Sequence, residues 1–196
     1  MLPTFLLAAV LNGTVMLHPQ SGAGEPVGGA LVELLQDQTT VATATSATDG
    51  TFSIPDLVTG TYSIRLSSDH TETRGTIVVH DDGAPRTFYV FDAPCGAIFG
   101  RVDDAVTGLG VPHASVDILG SSGTDANGDY FISFGCEKFS GYKFSGTSGV
   151  NVTARHYRNL SYYFRSEHVD GFAGNVLDFD LQPLATPPPR DRLPRR

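Results

Sequence analysis

Short runs of alternating polar and apolar residues, separated by glycine turns, constrain the fold of this chain more than any other feature. After the pair Asp49-Gly50, residues 51–54 alternate between polar and apolar side chains, and residues 61–66 do so again after Gly60. A period of two places one set of side chains on a buried face and the other in water. Glycine accepts a positive φ without a Cβ clash, so Asp49-Gly50 predicts a hairpin turn. The stretch therefore predicts two short antiparallel strands that lie on a core.

The same signal returns at Asn127-Gly128, which is followed by the apolar positions Tyr130 and Ile132. The 22 glycines and 12 prolines lie mostly at breaks between short alternating runs, and no apolar period of 3.6 residues persists long enough for a helix. The sequence thus predicts an all-β chain that repeats its domain. The predicted parts are a first β-sandwich at 1–92 with an apolar arm or first strand at 1–10, a second β-sandwich at 93–184 with an insertion near 137–148, and a basic, proline-rich tail at 185–196.

Matching motifs in the two halves carry a family resemblance. In the first half they are Gly13-Thr14-Val15, Pro26 to Val32, Thr48-Asp49-Gly50-Thr51-Phe52 and Leu57 to Tyr62. In the second half they are Gly100-Arg101-Val102, Val111 to Val116 and Asp125 to Tyr130.

This pattern resembles the carboxypeptidase regulatory-like family of β-sandwich domains, which is related in fold to transthyretin. The resemblance implies two tandem Ig-like or transthyretin-like antiparallel sandwiches, with seven strands in each half. The second half lacks the Leu-x-x-Gly-x-Tyr element and carries its insertion there. Such domains are mostly non-catalytic stalks, spacers and assembly modules, although fold alone does not fix function.

The charge is unevenly distributed along the chain. The formal net charge is −8, from 13 basic and 21 acidic residues. The last twelve residues contain four arginines and one aspartate, so the tail carries +3 and the remainder −11. An acidic body argues against a nucleic-acid-binding surface. A basic tail on an acidic body can dock on an acidic neighbour, including another copy of the chain.

The N-terminal residues and the two cysteines are the features that relate to the cellular compartment of the protein. The start has a short apolar run, but no basic residue precedes it and no clear cleavage site follows, so an arm or first strand is favoured over a signal peptide. No segment is predicted to span a membrane. Cys95 and Cys136 could form a disulfide in an oxidising compartment or remain two buried thiols, and their spacing does not decide between these.

The sequence offers no convincing catalytic or metal-binding motif. Residues 125–129 place oxygens at alternate positions as calcium loops do, but the required later Gly and Glu are missing, so a tight turn is favoured. The six histidines are scattered, which argues against a zinc site. We therefore expect no enzyme activity and no cofactor. Glycosylation sequons occur at Asn12, Asn151 and Asn159, either by chance or in a secreted context.

Two segments are candidates for binding a partner. The aromatic residues Phe139, Tyr142 and Phe144 of the insertion would form either an exposed apolar patch or a flap over the chain's own sandwich. The tail contributes Arg190, Arg192, Arg195 and Arg196. The expected partners are other protein subunits, in a homo-oligomer or a multi-subunit assembly.

The sequence thus predicts a non-enzymatic structural protein of an extracellular assembly, on a virion or another extracellular surface. A virion decoration, tail or fibre component is the leading interpretation. The alternative is a secreted cell-surface adhesin or filament subunit, possibly glycosylated in the secreted form. A small ligand-binding protein or enzyme that uses the segment around His156 and Tyr157 is the third interpretation.

Overall fold

The structure, a computed structural model, describes residues 8–18, 24–70, 72–91, 97–118, 120–133, 147–165 and 174–185. All regular elements in these ranges are β-strands, which confirms the predicted all-β class. Most strand pairs are antiparallel. The strands of the first half are β1 (Ala8–His18), β2 (Glu25–Pro26), β3 (Leu31–Gln36), β4 (Thr39–Thr45), β5 (Thr51–Val58), β6 (Gly60–Ser67), β7 (Thr73–Val79) and β8 (Arg86–Phe91).

The strands of the second half follow in the same way. They are β9 (Ala97–Asp104), β10 (Ser115–Asp117), β11 (Ser121–Gly123), β12 (Asp129–Ser133), β13 (Thr147–Thr153), β14 (Leu160–Arg165), β15 (Gly174–Leu177) and β16 (Phe179–Leu181). Among the described residues, no helix is long and apolar enough to cross a membrane.

Two hydrophobic clusters divide the described strands into an N-terminal unit and a C-terminal unit. In the N-terminal unit, β1, β2, β5 and β8 form one sheet, and β3, β4, β6 and β7 form the facing layer. In the C-terminal unit, β10, β11, β13 and β14 form one sheet, which packs on the layer of β9, β12 and β16. The alternation of β5 and β6 is as predicted, because Phe52, Ile54, Tyr62, Ile64 and Leu66 are all buried.

The pairing predicted for these strands is wrong. β5 pairs with β1, whereas β6 pairs with β3 and β7, so the two strands belong to opposite sheets. The turn at Asp49-Gly50 likewise leads from β4 in one sheet to β5 in the other and does not close a hairpin. Alternation determines which side chains face the core, but both layers of a sandwich satisfy it equally, so it does not select a strand's partner.

The two units repeat the same set of hydrogen bonds. The buried Ser46 hydroxyl donates to Val27 O at 2.7 Å and accepts from Ala30 N at 2.9 Å. In the C-terminal unit, the Thr124 hydroxyl donates to Val111 O at 2.7 Å and accepts from Ala114 N at 2.8 Å. The turns at Gly50 and Gly128 also match, since each glycine carbonyl accepts from the first strand of its unit. A duplicated domain would produce these equivalences, although the tandem-copy interpretation and the boundary at 92/93 stay predictions.

Strand β15 joins the two units into one continuous sheet. It pairs in parallel with β7 of the N-terminal unit and with β9 of the C-terminal unit. The resulting strand order is β12-β9-β15-β7-β6-β3-β4. Glycines permit this close approach: a Cβ on Gly75 would collide with the Val176 backbone, and a Cβ on Gly100 with the Leu177 carbonyl. The chain thus returns between its two halves, and a whole strand connects them.

Candidate functional site at the junction

Strand β9 contributes several of the residues that join the two units, and it is buried on both faces. Ala97 and Phe99 belong to the hydrophobic cluster of the N-terminal unit, whereas Ile98 and Val102 belong to that of the C-terminal unit. Because side chains alternate, Arg101 shares the face that is turned towards the N-terminal unit. Charged residues of β9 are therefore buried between two layers instead of reaching water.

Asp178, between β15 and β16, is the centre of this junction. Its side chain is 0% exposed. One carboxylate oxygen accepts from the Arg101 backbone N–H at 2.9 Å and from the Arg86 guanidinium, and the other accepts from the Val78 backbone N–H at 2.8 Å. These donors come from β9, β8 and β7, so one side chain links both units. We call this arrangement the Asp178 clamp.

The Arg86 guanidinium donates to Asp178 and to the Val78 carbonyl oxygen. Burial lowers the pKa of Arg86, but the charge and hydrogen bond of Asp178, with more distant carboxylates, outweigh burial and leave the pKa raised. The guanidinium also lies 5.5 Å from the Phe88 ring centroid, within the range of a cation–π contact. Arg86 is therefore a paired structural cation and not a free catalytic group.

Arg101 bridges two further aspartates beside the clamp. Its guanidinium lies 3.1 Å from Asp82 and 2.8 Å from Asp103. The contact with Asp103 lacks hydrogen-bond geometry, and the two buried atoms, Arg101 Nε and Asp103 Oδ1, have no other hydrogen-bond partner among the described residues. Desolvation raises the pKa of Asp103 to about 7, against the opposing charge of Arg101. Asp103 is consequently the least well satisfied carboxylate of the junction.

His80 approaches Asp103 from the other side. Its Nε2 lies 3.2 Å from Asp180 and 3.7 Å from Asp103, and the three potential ligand atoms lie within 4.8 Å of one another. The hydrogen bond to Asp180 is the main cause of a raised His80 pKa. The adjacent cavity has a volume of about 10 Å³, enough for roughly one water molecule. A protonated His80 between two carboxylates satisfies this geometry without a metal, and there is no space for a small-molecule substrate.

A larger opening, which we call the junction cleft, lies on the other side of Arg86. Its volume is about 390 Å³, which falls in the range of ligand-binding pockets. One wall is aromatic: the Tyr89 ring meets those of Phe99 and Phe131 edge-on, both at 5.2 Å. Two carboxylates also line the cleft: Asp125 in the turn before β12, and Asp129, the first residue of β12.

The charged groups in the lining of the junction cleft are two carboxylates and the guanidinium of Arg86. Desolvation raises the pKa of Asp129 to about 6, and the neighbouring Asp125 adds to that shift while Arg86 opposes it. The pKa of Tyr89 is raised by burial and then by the charges of Asp129 and Asp125. Asp125 Oδ1 also accepts from the backbone N–H groups of Asn127 and Asp129 at 2.8 and 3.0 Å, which confirms the predicted tight turn.

The structure places some of the residues singled out from the sequence and not others. Cys95, Cys136, Phe139, Tyr142, Phe144 and the tail arginines Arg190, Arg192, Arg195 and Arg196 lie outside the described residues. The predicted disulfide and both partner-binding segments therefore stay predictions.

The sequons are described and differ from one another. Asn12 Nδ2 donates to Gly83 O at 3.1 Å, a bond that a glycan on this nitrogen would displace. Asn151 is exposed, and its Oδ1 accepts from the Ser161 hydroxyl. Asn159 is exposed as well. The exposed sequons are thus better placed for modification than Asn12, and glycosylation itself stays a prediction.

The sequence interpretation missed the junction residues altogether. Asp178 and Asp180 alternate with the buried Phe179 and Leu181, a pattern that normally indicates solvent-facing positions. The available signal was the alternation of Arg101 with Asp103 on a strand that is otherwise apolar. Opposite charges at positions i and i+2 share a face, and a second layer can cover that face.

Comparison with known proteins found a family match in the first half. Residues 10–90 match the sequence model of the carboxypeptidase regulatory-like domain, in agreement with the motifs of that half. The match does not extend to the second half. The comparison with curated proteins gave no match.

Solved structures that resemble the chain include two pilins and one further bacterial protein. The Bacillus anthracis TIE protein is 15% identical over 89% of this chain, with a TM-score of 0.33, and this chain spans 34% of its length. The shaft pilin SpaA from Lactobacillus rhamnosus GG is 8% identical, with coverage of 92% and 100% of the two chains and a TM-score of 0.34. The minor pilin GBS52 from Streptococcus agalactiae is 12% identical, with coverage of 96% and 100% and a TM-score of 0.29. These scores are too low to support an argument about function.

Proposed function

We propose that this protein is a non-enzymatic structural subunit of an extracellular assembly, in which two β-sandwich units act as one stiff spacer. The observation that carries the proposal is the Asp178 clamp, together with β15. A continuous sheet and a buried ionic contact oppose bending between the units. Stiffness of this kind suits a stalk or filament element, which has to hold its ends at a fixed distance.

The described ionisable groups support a structural role. Arg86, Arg101 and Asp178 contact one another or backbone groups from neighbouring strands. A general acid or base needs access to a substrate, and the cavity beside Asp103 and His80 holds roughly one water molecule. The carboxypeptidase regulatory-like domain in the first half fits a spacer as well.

More specifically, we propose that the protein is a virion decoration, tail or fibre component. It would bind other subunits through its C-terminal residues 185–196 and its exposed loops. The uneven charge of an acidic body and a basic tail favours contacts between subunits. A cell-surface filament subunit or adhesin is the second candidate, and the two exposed sequons favour that secreted form.

Location of the native protein tests the proposal. Antibodies raised against the purified chain would be applied, with immunogold electron microscopy, to cultures of the organism that carries the gene. A strain that lacks the gene would serve as the control. Labelled virus-like particles would support the virion form, and labelled cell-surface filaments would support the second candidate. Label confined to the cell interior would contradict both.

A further inference from the structure

The junction cleft combines two features that recognise a cationic side chain. It has an aromatic wall formed by Tyr89, Phe99 and Phe131. It also has the carboxylates of Asp125 and Asp129, and Asp129 lies two residues before Phe131 on the same face of β12. A flat cation can stack on an aromatic ring while its N–H groups donate to a carboxylate.

The cation that already lines the cleft, Arg86, offsets the charge of these carboxylates only in part. Arg86 is held by Asp178 and lies over Phe88. Asp178 has 0% side-chain exposure and accepts two backbone N–H groups as well, so the pair is a closed unit. Asp129 is only half-buried, and it lines a cleft of about 390 Å³ together with Asp125.

We infer that the junction cleft binds an arginine side chain from residues 186–196 of this chain. That segment carries Arg190, Arg192, Arg195 and Arg196 against a single aspartate, whereas the rest of the chain carries −11. A guanidinium is planar, always charged and suited to stacking, so it matches the cleft better than the point charge of a lysine. The inference rests on the proposed function, since it specifies how one subunit would hold another.

The length of the segment permits this contact. Leu184 N donates to His156 O at 2.8 Å, which fixes the end of the described chain beside the connection from β13 to β14. The sheet order β11-β10-β13-β14 places the β11 side of the cleft three strands from β14, or roughly 15 Å at the usual strand spacing. Eleven extended residues span up to ~36 Å. The segment can therefore reach the cleft of its own chain or that of a second copy.

A peptide-binding experiment on the full-length chain tests the inference. The protein would carry Arg190→Ala, Arg192→Ala, Arg195→Ala and Arg196→Ala, so that its own segment cannot compete. A fluorescent peptide of residues 185–196 would be titrated with this protein, and anisotropy would be measured. We expect saturable binding that Asp129→Asn weakens about tenfold, because a partly desolvated charge pair loses one partner. A peptide with lysine at the four arginine positions should bind several-fold more weakly, because lysine lacks the planar fork.

Asp117→Asn is the matched control, because Asp117 is exposed on β10 and the charge change is identical. It should alter the affinity by less than about twofold, because Asp117 does not line the cleft and solvent screens its exposed charge. No binding at about 1 mM peptide, or equal effects of Asp129→Asn and Asp117→Asn, would overturn the inference. Circular dichroism would establish that both variants remain folded.

Sedimentation of the unmodified chain distinguishes the two sources of the segment. A sedimentation coefficient that rises with concentration, and does not rise in the four-alanine variant, would support docking between copies. A constant coefficient, with peptide binding seen only in the four-alanine variant, would support docking within one chain. If the peptide fails to bind while the native protein is found on particles or filaments, only the cleft inference fails.

Discussion

Replacement of Asp178 by alanine tests the Asp178 clamp most severely. The variant removes an acceptor of two backbone N–H groups, from Val78 and Arg101, and it leaves the buried Arg86 guanidinium without its partner. Removing one partner of a buried ion pair costs about 3–5 kcal/mol. The side chain is fully buried, so solvent does not screen this loss, and we expect the free energy of unfolding to fall by about 4 kcal/mol.

Urea denaturation followed by circular dichroism measures this change. With an m-value of roughly 2 kcal/mol per molar, the midpoint should fall by about 2 M. Asp117→Ala, on the exposed face of β10, is the control and should change the free energy by less than about 0.5 kcal/mol.

A double-mutant cycle then isolates the pair itself. Arg86→Met combined with Asp178→Ala should be less destabilising than the sum of the two single changes, by about 2 kcal/mol, because no unpaired charge remains. Equal stability of Asp178→Ala and the Asp117→Ala control would refute the clamp.

Three further changes test other parts of the fold. The pKa of Asp103 is raised to about 7, so folding favours its protonated form. The free energy of unfolding should therefore fall by roughly 2 kcal/mol between about pH 5 and pH 7. Urea titrations at several pH values should show a flatter profile for Asp103→Asn. Gly100→Ala should lower the thermal midpoint by several degrees because its Cβ collides with β15, whereas Gly149→Ala, with only ordinary contacts, should change it little. Ser46→Ala and Thr124→Val should each cost about 2 kcal/mol in urea denaturation, and a large difference between them would argue against equivalent positions in the two units.

The sequence predicted the strands well because alternation and glycine turns are local signals. Phe52 and Ile64 lie in the core, and the turn before Asp129 forms through the Asp125 side chain as expected. The partners of the strands were not predictable in the same way. β5 and β6 are neighbours along the chain but belong to opposite layers, a choice that depends on packing across the core.

The junction residues could not be predicted from the sequence, for a related physical reason. Alternation assumes that one face of a strand is covered, but β9 is covered on both, and β15 is paired on both edges. The repeated hydrogen bonds align Arg101 with Thr14 of the first unit, so a charged residue replaces a small polar one where the units meet. This difference between the two halves can be interpreted only once the structure shows which layer covers Arg101.

Residual dipolar couplings of backbone amides in a weakly aligned sample would test most directly whether the two units form one rigid body. Couplings from β6 of the N-terminal unit and β13 of the C-terminal unit should fit a single alignment tensor with the orientations of this structure. Two tensors of different magnitude would mean that the units reorient independently, and neither a stiff spacer nor a fixed junction cleft would then remain.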